Sequence, residues 1–425
     1  MPVRKTHRPF PPKSTPTPGA ISKLSQHGRG PSALEGVRVL DLCNVYGLYC
    51  GKQLADLGAD VVKIERPGGD IARNMPPFVD DVPGANRGVY FLYMNTSKRG
   101  ITLDIERAEG HEILKRLIAT ADVMVETTRP GYLREHCLDY PVLQALNPGL
   151  VMVSITPYGQ NGPHSGFKAS DLNTYAMSGL MAGTGEPDKP PVLLAGWQSY
   201  AAPSVEAAAG ALVALHHRNI TGHGQQVDIS AQQTLASFTT ILGAAQYLDD
   251  GTKPRRIGAR GLYPCLDGYV LIVLARPEQW ELFSKWVHDV TGDPQILDKK
   301  FAGRSEDRDR YVSVLDLLIT EFSIKFTMTQ LFQEGQRRGL TIGPVHGTLD
   351  LAKDRQLMDR DYFVRTSDAE LGELTIPGAP YLHSASPWRM SRRAPKVGEH
   401  NVEVYCGELG MSRSDLVSLA TAGVI

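Results

Sequence analysis

Hydroxyl, carboxylate and guanidinium groups stand at a few places in this sequence where they could act on a ligand rather than on the fold. Ser199 and Tyr200, in the run Gly196-Trp197-Gln198-Ser199-Tyr200-Ala201, are the candidate hydroxyls. Either needs a base within hydrogen-bond reach to become a nucleophile, and the chain has no GxSxG elbow to present one. Their structural roles would be a serine near a helix start and a tyrosine ring that fills space. Asp171, in Ser170-Asp171-Leu172-Asn173, is a lone carboxylate opening a helical stretch, where a capping role competes with chemistry. Arg66, in Lys63-Ile64-Glu65-Arg66-Pro67-Gly68-Gly69-Asp70, follows a strand-like run. Its guanidinium can grip a phosphate through paired hydrogen bonds, or simply sit in solvent. Lys98 and Arg99 form a second basic pair, open to the same phosphate role or to that of a solvated charge pair.

These groups need a scaffold, and the hydrophobic pattern supplies one. Val37 to Leu42 reads as a buried strand, residues 51–57 as a helix closed by Gly58, and Ala59 to Glu65 as a second strand. Strand, helix and strand in so short a stretch make a βαβ unit. Ile101–Ile105, Asp122–Glu126 and Leu150–Ile155 continue the strands, Ala108–Ala119 is helical, and Ala201–Arg218 is an alanine-rich helix before the strand Val227–Ile229. Alternation of this kind predicts a doubly wound α/β domain with ligands at the carboxyl ends of strands, and so at the loops 44–46, 66–69 and 127–131. The first βα turn lacks GxGxxG, so a dinucleotide site is not supported.

Further along, residues 264–273 resemble a hairpin turning at Asp267-Gly268, followed by amphipathic helices at 310–322 and 327–338. The division expected is a Pro-rich mobile tail over 1–33, a large domain over 34–240, a small α+β domain over 245–345, and a return to the large domain over 346–425, ending in a helix near 412–420.

The balance of 45 basic and 46 acidic residues in 425 gives no global field for nucleic acid or an anionic membrane. No apolar run is long enough to span a bilayer, and the amino terminus lacks a signal-type apolar core. Five scattered cysteines without CxxC or histidine pairing predict no metal site and a reduced cytoplasmic protein.

Several segments together resemble the class III CoA-transferases, a family that includes formyl-CoA, carnitine and benzylsuccinate CoA-transferases and the 2-methylacyl-CoA racemases. They are LEGVRVLDL at 34–42, LADLGADVVKIERPGGD at 54–70, NTSKRGITLDI at 95–105 and ADVMVE at 121–126. YGQNGP at 158–163, TGHGQQVDIS at 221–230 and GEHN at 398–401 complete the set, which spans nearly the whole chain. The resemblance implies a Rossmann-like large domain built from both ends of the chain, a small domain from its middle, and two interlocked protomers. It implies a coenzyme A thioester as substrate, with no permanently bound cofactor.

By motif position, the resemblance lays the CoA path along Val45, Tyr46, Arg66, Leu103, Thr127, Thr128, Arg129 and Lys168, and puts Asn44, Tyr46 and Tyr200 near the acyl group. Relatives often carry glutamine where Tyr46 stands. Arg134 lies one position from a common family arginine. Relatives form an acyl anhydride on an aspartate, and family spacing before Thr221 puts that position at Tyr200, with Ser199 beside it. Neither is a carboxylate, and an ester there is far less activated than an anhydride. The racemases use a histidine in a GHD-like context and an aspartate in the nucleophile loop; here Ser170, before Asp171, stands in the histidine's place and Tyr200 in the aspartate's, so both members of the acid/base pair are missing. The glycine-rich loop over the site is reduced to residues 258–263.

The function expected is therefore a subunit of a heteromeric CoA-transferase. It would move CoA between succinyl-CoA and an organic acid such as benzylsuccinate, with a homologous partner supplying the aspartate. The alternatives are an active homodimer using another carboxylate, Asp171 first among them, an acyl-CoA racemase, or a CoA-binding protein without catalysis.

Overall fold

The structure, a computed structural model, describes residues 31–185, 189–238, 261–274, 276–302 and 308–425. The expected tail falls outside the described residues up to position 30, as do positions 258–260 of the reduced glycine loop.

The chain separates into two units. Among the described residues, the first comprises those within 31–178, 195–238 and 355–425, and the second those within 179–194 and 261–354. Relative to the boundaries read from sequence, the segment 179–194 groups with the second unit, and that unit runs on to Asp354 rather than ending at 345.

The first unit is built on six parallel strands: β1 (Arg38–Leu42), β2 (Asp60–Glu65), β3 (Arg99–Thr102), β4 (Val123–Glu126), β5 (Val151–Thr156) and β6 (Gln226–Ser230), in the order β3-β2-β1-β4-β5-β6. β3, β4 and β5 are buried at every position. Parallel strands covered on both faces read as continuous apolar runs rather than alternating ones. Alternate side chains nevertheless feed two separate cores, because successive residues point to opposite faces. Val39, Val61, Val123, Val125, Val151 and Val153 pack with Leu48 and Leu54 of helix α1 (Leu48–Asp56). Leu40, Val62, Ile101, Met124 and Met152 pack with Ile113, Leu114 and Leu117 of helix α2 (Ala108–Ile118), together with Tyr405 and Leu416 from the carboxyl-terminal return.

Helix α3 (Asp171–Met177) and the long helix α4 (Gln198–Thr221) precede β6. Ala207, Ala211 and Ala214 of α4 are buried in the first core, and Gly210 approaches the sheet so closely that a Cβ there would meet Val227 Cγ1 at 3.0 Å. Small residues let this helix lie against the strands. It begins at Gln198, earlier than its alanine-rich stretch predicts, after Trp197 in a left-handed conformation with φ 51°.

The return segment supplies a hairpin, Phe363–Asp368 with Gly372–Pro377, that the sequence reading missed. It also finishes the edge strand β3. Gly100 N–H donates to His400 Nδ1 at 3.0 Å and Thr102 N–H to Asn401 Oδ1 at 2.9 Å, so the GEHN motif answers edge groups that would otherwise stand unpaired.

The second unit has three antiparallel strands, β7 (Leu262–Cys265), β8 (Gly268–Val273) and β9 (Thr341–Pro344). They are packed by helices at Pro277–Thr291, Val312–Ser323 and Met328–Arg337 around Trp280, Phe283, Trp286 and Phe322. Cys265 pairs with Gly268, so the hairpin turns on Leu266-Asp267, one residue earlier than expected. Asp267 Oδ1 instead accepts the Met328 N–H at 2.7 Å, tying the turn to the start of the last helix.

Candidate active site

The strand order reverses direction between β1 and β4, and ligands of open parallel sheets bind outside the carboxyl ends of strands at such a reversal. A cleft of about 470 Å³ opens there, lined by Asn44, Lys63, Glu65, Arg66, Gly69, Asp70, Ile71, Leu103, Ile105 and residues 127–129, with Tyr132 at its side. Arg66, Leu103, Thr127, Thr128, Arg129 and Asn44, separated widely in sequence, are thus brought together. Val45, Tyr46 and Lys168 do not line this cleft; Val45 packs against the first core, and Lys168 is exposed on the loop before α3.

The loop after β1 is fixed from beneath. Asn44 N–H donates to Thr127 Oγ1 at 2.8 Å, and Asn44 Oδ1 accepts the Tyr46 N–H at 3.2 Å. Gly47 is required here, since a Cβ would lie 2.4 Å from Cys43 Sγ and 2.8 Å from Thr127 Cγ2. Under the loop, Asp41 and Lys98 are both fully buried, with Lys98 Nζ 2.7 Å from Asp41 Oδ2, 2.8 Å from the Leu48 carbonyl and 3.0 Å from Asn95 Oδ1. Burial opposes charge on Asp41, but the ammonium groups of Lys98 and Lys63 outweigh it and hold its pKa below the usual value. Lys98 therefore cannot meet a phosphate, and it is no solvated charge either. Arg99 is likewise committed, to Asp60, Glu403 and Glu408.

The two cleft arginines are different. Arg66 Nη2 reaches Glu106 Oε1 at 2.6 Å and Tyr132 Oη at 3.3 Å, with its side chain 63% exposed. Arg129 makes a paired contact with Glu135 and lies over the Tyr132 ring. Exposed ion pairs of this kind contribute little to stability, so either guanidinium can exchange its carboxylate for a phosphate. Arg134 is exposed beside Asp139 and lines a separate hollow. Below Thr128, the buried Glu126 carboxylate accepts from the Thr128 N–H and hydroxyl, both at 2.6 Å, while burial pushes its pKa up.

The second cluster begins at Tyr46. Its ring meets that of Tyr200 edge-on, centroids 4.5 Å apart. Tyr200 Oη accepts the Asp171 N–H at 3.1 Å. Ser199, fully buried, donates its N–H to Asp171 Oδ1 at 2.9 Å and its hydroxyl to the Asp171 carbonyl at 2.9 Å. Asp171, 6% exposed, thus caps the start of α4 rather than its own helix, a reciprocal clasp between two helix starts. Both candidate hydroxyls are engaged with Asp171, and neither has a base poised to activate it. Tyr90 and Trp197, centroids 4.9 Å apart, add aromatic surface beside this group. Burial raises the pKa of Tyr200, so the phenol stays protonated near neutrality. No motif announces the left-handed Trp197 or the approach of Tyr90 and Tyr200 to the Asp171 carboxylate.

Among the described residues no group of three or more His, Cys, Asp and Glu could hold a metal, and no helix is long and apolar enough to cross a membrane.

Comparison with known proteins gives a consistent result. The chain is 32% identical over 404 residues to the succinyl-CoA:(R)-benzylsuccinate CoA-transferase subunit BbsE of Thauera aromatica, covering 91% of this chain and 97% of that one. It is 32% identical over 417 residues to a formyl-CoA:oxalate CoA-transferase of Streptomyces avermitilis, covering 92% and 99%. Among solved structures, a CaiB/BaiF family protein from Brucella suis superposes with a TM-score of 0.80 at 28% identity, over 88% of this chain and 99% of that one. A Mycobacterium tuberculosis protein, solved as a mutant with one aspartate replaced by alanine, gives 0.74 at 26% identity over the same shares. With the profile of CoA-transferase family III matching residues 34–401, the chain belongs to that family.

Proposed function

We propose that this protein transfers coenzyme A from succinyl-CoA or a similar acyl-CoA to an organic acid, with Asp171 as the acyl-accepting carboxylate. The observation that carries this reading is the clasp: a buried carboxylate fixed by the Ser199 N–H among Tyr46, Tyr200 and Tyr90, one ring away from the loop that edges the cleft. Asn44 belongs to the cleft and Tyr46 to the clasp, and the 3.2 Å hydrogen bond between them joins the two.

The cleft would hold the CoA phosphates through Arg66 and Arg129, with Thr127 and Thr128 beneath and Leu103 as an apolar wall. The chemistry balances without any further reactant. A carboxylate oxygen of Asp171 adds to the thioester carbonyl and the CoA thiolate leaves, giving a mixed anhydride. The thiolate then attacks the aspartyl carbonyl, releasing the donor acid and leaving an aspartyl–CoA thioester. The acceptor carboxylate attacks that thioester and expels the thiolate, forming a second anhydride, and the thiolate then attacks its acceptor carbonyl, giving the new acyl-CoA and freeing the Asp171 carboxylate. A carboxylate suits the role because it leaves as the anion of an acid of pKa about 4, whereas Tyr200 would leave as a phenolate of pKa about 10. Neither Ser199 nor Tyr200 need supply the nucleophile.

A second reading keeps the absence of a carboxylate at Ser199 and Tyr200 as decisive. On it the chain is the supporting member of a heteromer, interlocked with a homologous subunit that carries the working aspartate. The similarity to a protein named as a subunit favours it, and it would fit a cytoplasmic enzyme acting on aromatic acids such as benzylsuccinate. One experiment separates the two: CoA transfer from succinyl-CoA to a panel of organic acids, using the chain alone and co-expressed with its nearest homologue. Transfer by the chain alone, lost in Asp171→Asn, supports the first reading. Transfer only in the pair, indifferent to Asp171→Asn, supports the second. Proton exchange at the α-carbon of a 2-methylacyl-CoA without an acceptor acid would turn both aside in favour of a racemase, and binding without turnover in any pairing would leave a CoA-binding protein.

A further inference from the structure

Tyr46 is held with more precision than a space-filling ring requires. Its N–H is bound by Asn44 Oδ1 at 3.2 Å, and its carbonyl accepts the Ser204 hydroxyl at 2.9 Å, which also reaches the Tyr200 carbonyl at 2.7 Å. Its ring rests on Tyr200, whose hydroxyl takes the Asp171 N–H. Yet the Tyr46 Oη itself is buried and has no hydrogen-bond partner. The hydroxyls of Thr174 and Tyr200 lie near enough to bear on its proton, but neither reaches hydrogen-bond geometry; Thr174 already donates to the Ser170 carbonyl at 3.0 Å. A buried hydroxyl left unpaired is destabilising, so a fold that keeps one has a use for it or tolerates a cost. Its place is informative. Thr174 is three residues beyond Asp171 on the same helical face, so the Tyr46 hydroxyl overlies the turn that carries the carboxylate.

Resting on the reading that Asp171 accepts the acyl group, we propose that the Tyr46 hydroxyl is the hydrogen-bond donor to the thioester carbonyl oxygen, and stabilises the oxyanion that forms when Asp171 adds to it. The free donor is then satisfied only when substrate is present. Burial and the neighbouring tyrosines raise the pKa of Tyr46, so it remains a donor throughout the neutral range. The contact strengthens as charge develops on oxygen, so it favours the transition state over the bound ground state. Tyr46 would therefore touch the reacting atoms without exchanging a proton.

The test is Tyr46→Phe, which keeps the ring and removes only the hydroxyl. The expected result is a kcat lower by about a hundredfold, the scale seen when one oxyanion donor is lost. KM for succinyl-CoA should be essentially unchanged and Tm unchanged or raised, because a buried unpaired group has gone. Tyr46→Gln, which restores an N–H donor, should recover part of the rate. An unchanged kcat in Tyr46→Phe overturns the proposal. Should Tm fall with kcat, the decision passes to the infrared carbonyl band of thioester-¹³C succinyl-CoA bound to Asp171→Asn. A shift to lower frequency that vanishes on adding Tyr46→Phe supports the donor role, and an unshifted band refutes it. The failure of the underlying reading looks different: the wild-type chain would show no transfer, or transfer that survives Asp171→Asn, and the proposal would fall with it.

Discussion

Arg66 and Arg129 meet their carboxylate partners in water, while Lys98 and Asp41 meet theirs with no exposure at all. Read as letters, these are four charges in or beside the strands of one domain. Their surroundings give them opposite uses. A pair in solvent is weak and can be redirected, so on the proposed reading Glu106 and Glu135 would yield the cleft guanidinium groups to a phosphate. A fully buried pair cannot be dissolved without stranding a charge. The Asp41–Lys98 pair therefore serves the loop above it, since Lys98 also binds the Leu48 carbonyl and Asp41 accepts the Cys43 N–H at 2.9 Å. One set of charges is free to be redirected; the other fixes the loop that carries Asn44 and Tyr46.

Breaking the buried pair should have the largest effect on the fold. Lys98→Ala leaves Asp41 charged and buried, and should lower the unfolding free energy by about 3–5 kcal/mol, read by urea denaturation. Retention of full stability would show that Asp41 is not a committed partner. Gly47→Ala sharpens the same side of the comparison. The added methyl must displace Cys43 or Thr127, and overpacking of this kind costs roughly 1–3 kcal/mol in the same assay.

The exposed side should respond in binding and not in stability. Arg66→Ala and Arg129→Ala should each raise KM for succinyl-CoA about tenfold, the worth of one charge-assisted hydrogen bond, with little change in Tm. A KM that does not move in either variant would displace the phosphates from this cleft. The smallest effect is expected at Glu126, whose carboxyl pKa is raised by burial above its ordinary 4.5. A raised carboxyl favours the folded state when protonated, so this contribution is complete below the unfolded pKa and is lost as pH rises through the folded one. Glu126→Gln, neutral at every pH, should be at least as stable as wild type at neutral pH, and that advantage should shrink below the ordinary carboxyl range. An advantage that instead grows on acidification would contradict the assignment.

The sheet was legible because its strands are short apolar runs separated by helical periodicity, and β1, β2, β4 and β5 lie within a residue or so of where the pattern puts them. β3 was displaced: the pattern favours 101–105, whereas the strand is Arg99–Thr102, because the salt bridges of Arg99 and the side chains of His400 and Asn401 fix it from a distant part of the chain. The 363–377 hairpin escaped because its strands are largely half-buried or exposed and lack a clean apolar alternation. At the site, Arg66 and Thr127 to Arg129 could be placed by motif and by the strand-end rule. The clasp could not, since it depends on Ser199 meeting a residue 28 positions earlier, and Asp171 reads in isolation as a cap for its own helix. Lys98 shows the converse: nothing local distinguishes a surface lysine from one sealed under a loop.

The most direct test of the account is to trap the acylated enzyme. The chain alone would be incubated with succinyl-CoA, treated in parallel with borohydride and with hydroxylamine, and mapped by peptide mass spectrometry. The account predicts one modified site, Asp171, as the reduced residue homoserine in one sample and the hydroxamate in the other, with neither in the absence of succinyl-CoA. An unmodified Asp171 in a preparation that transfers CoA, or a label confined to the aspartate of a partner subunit, would contradict it.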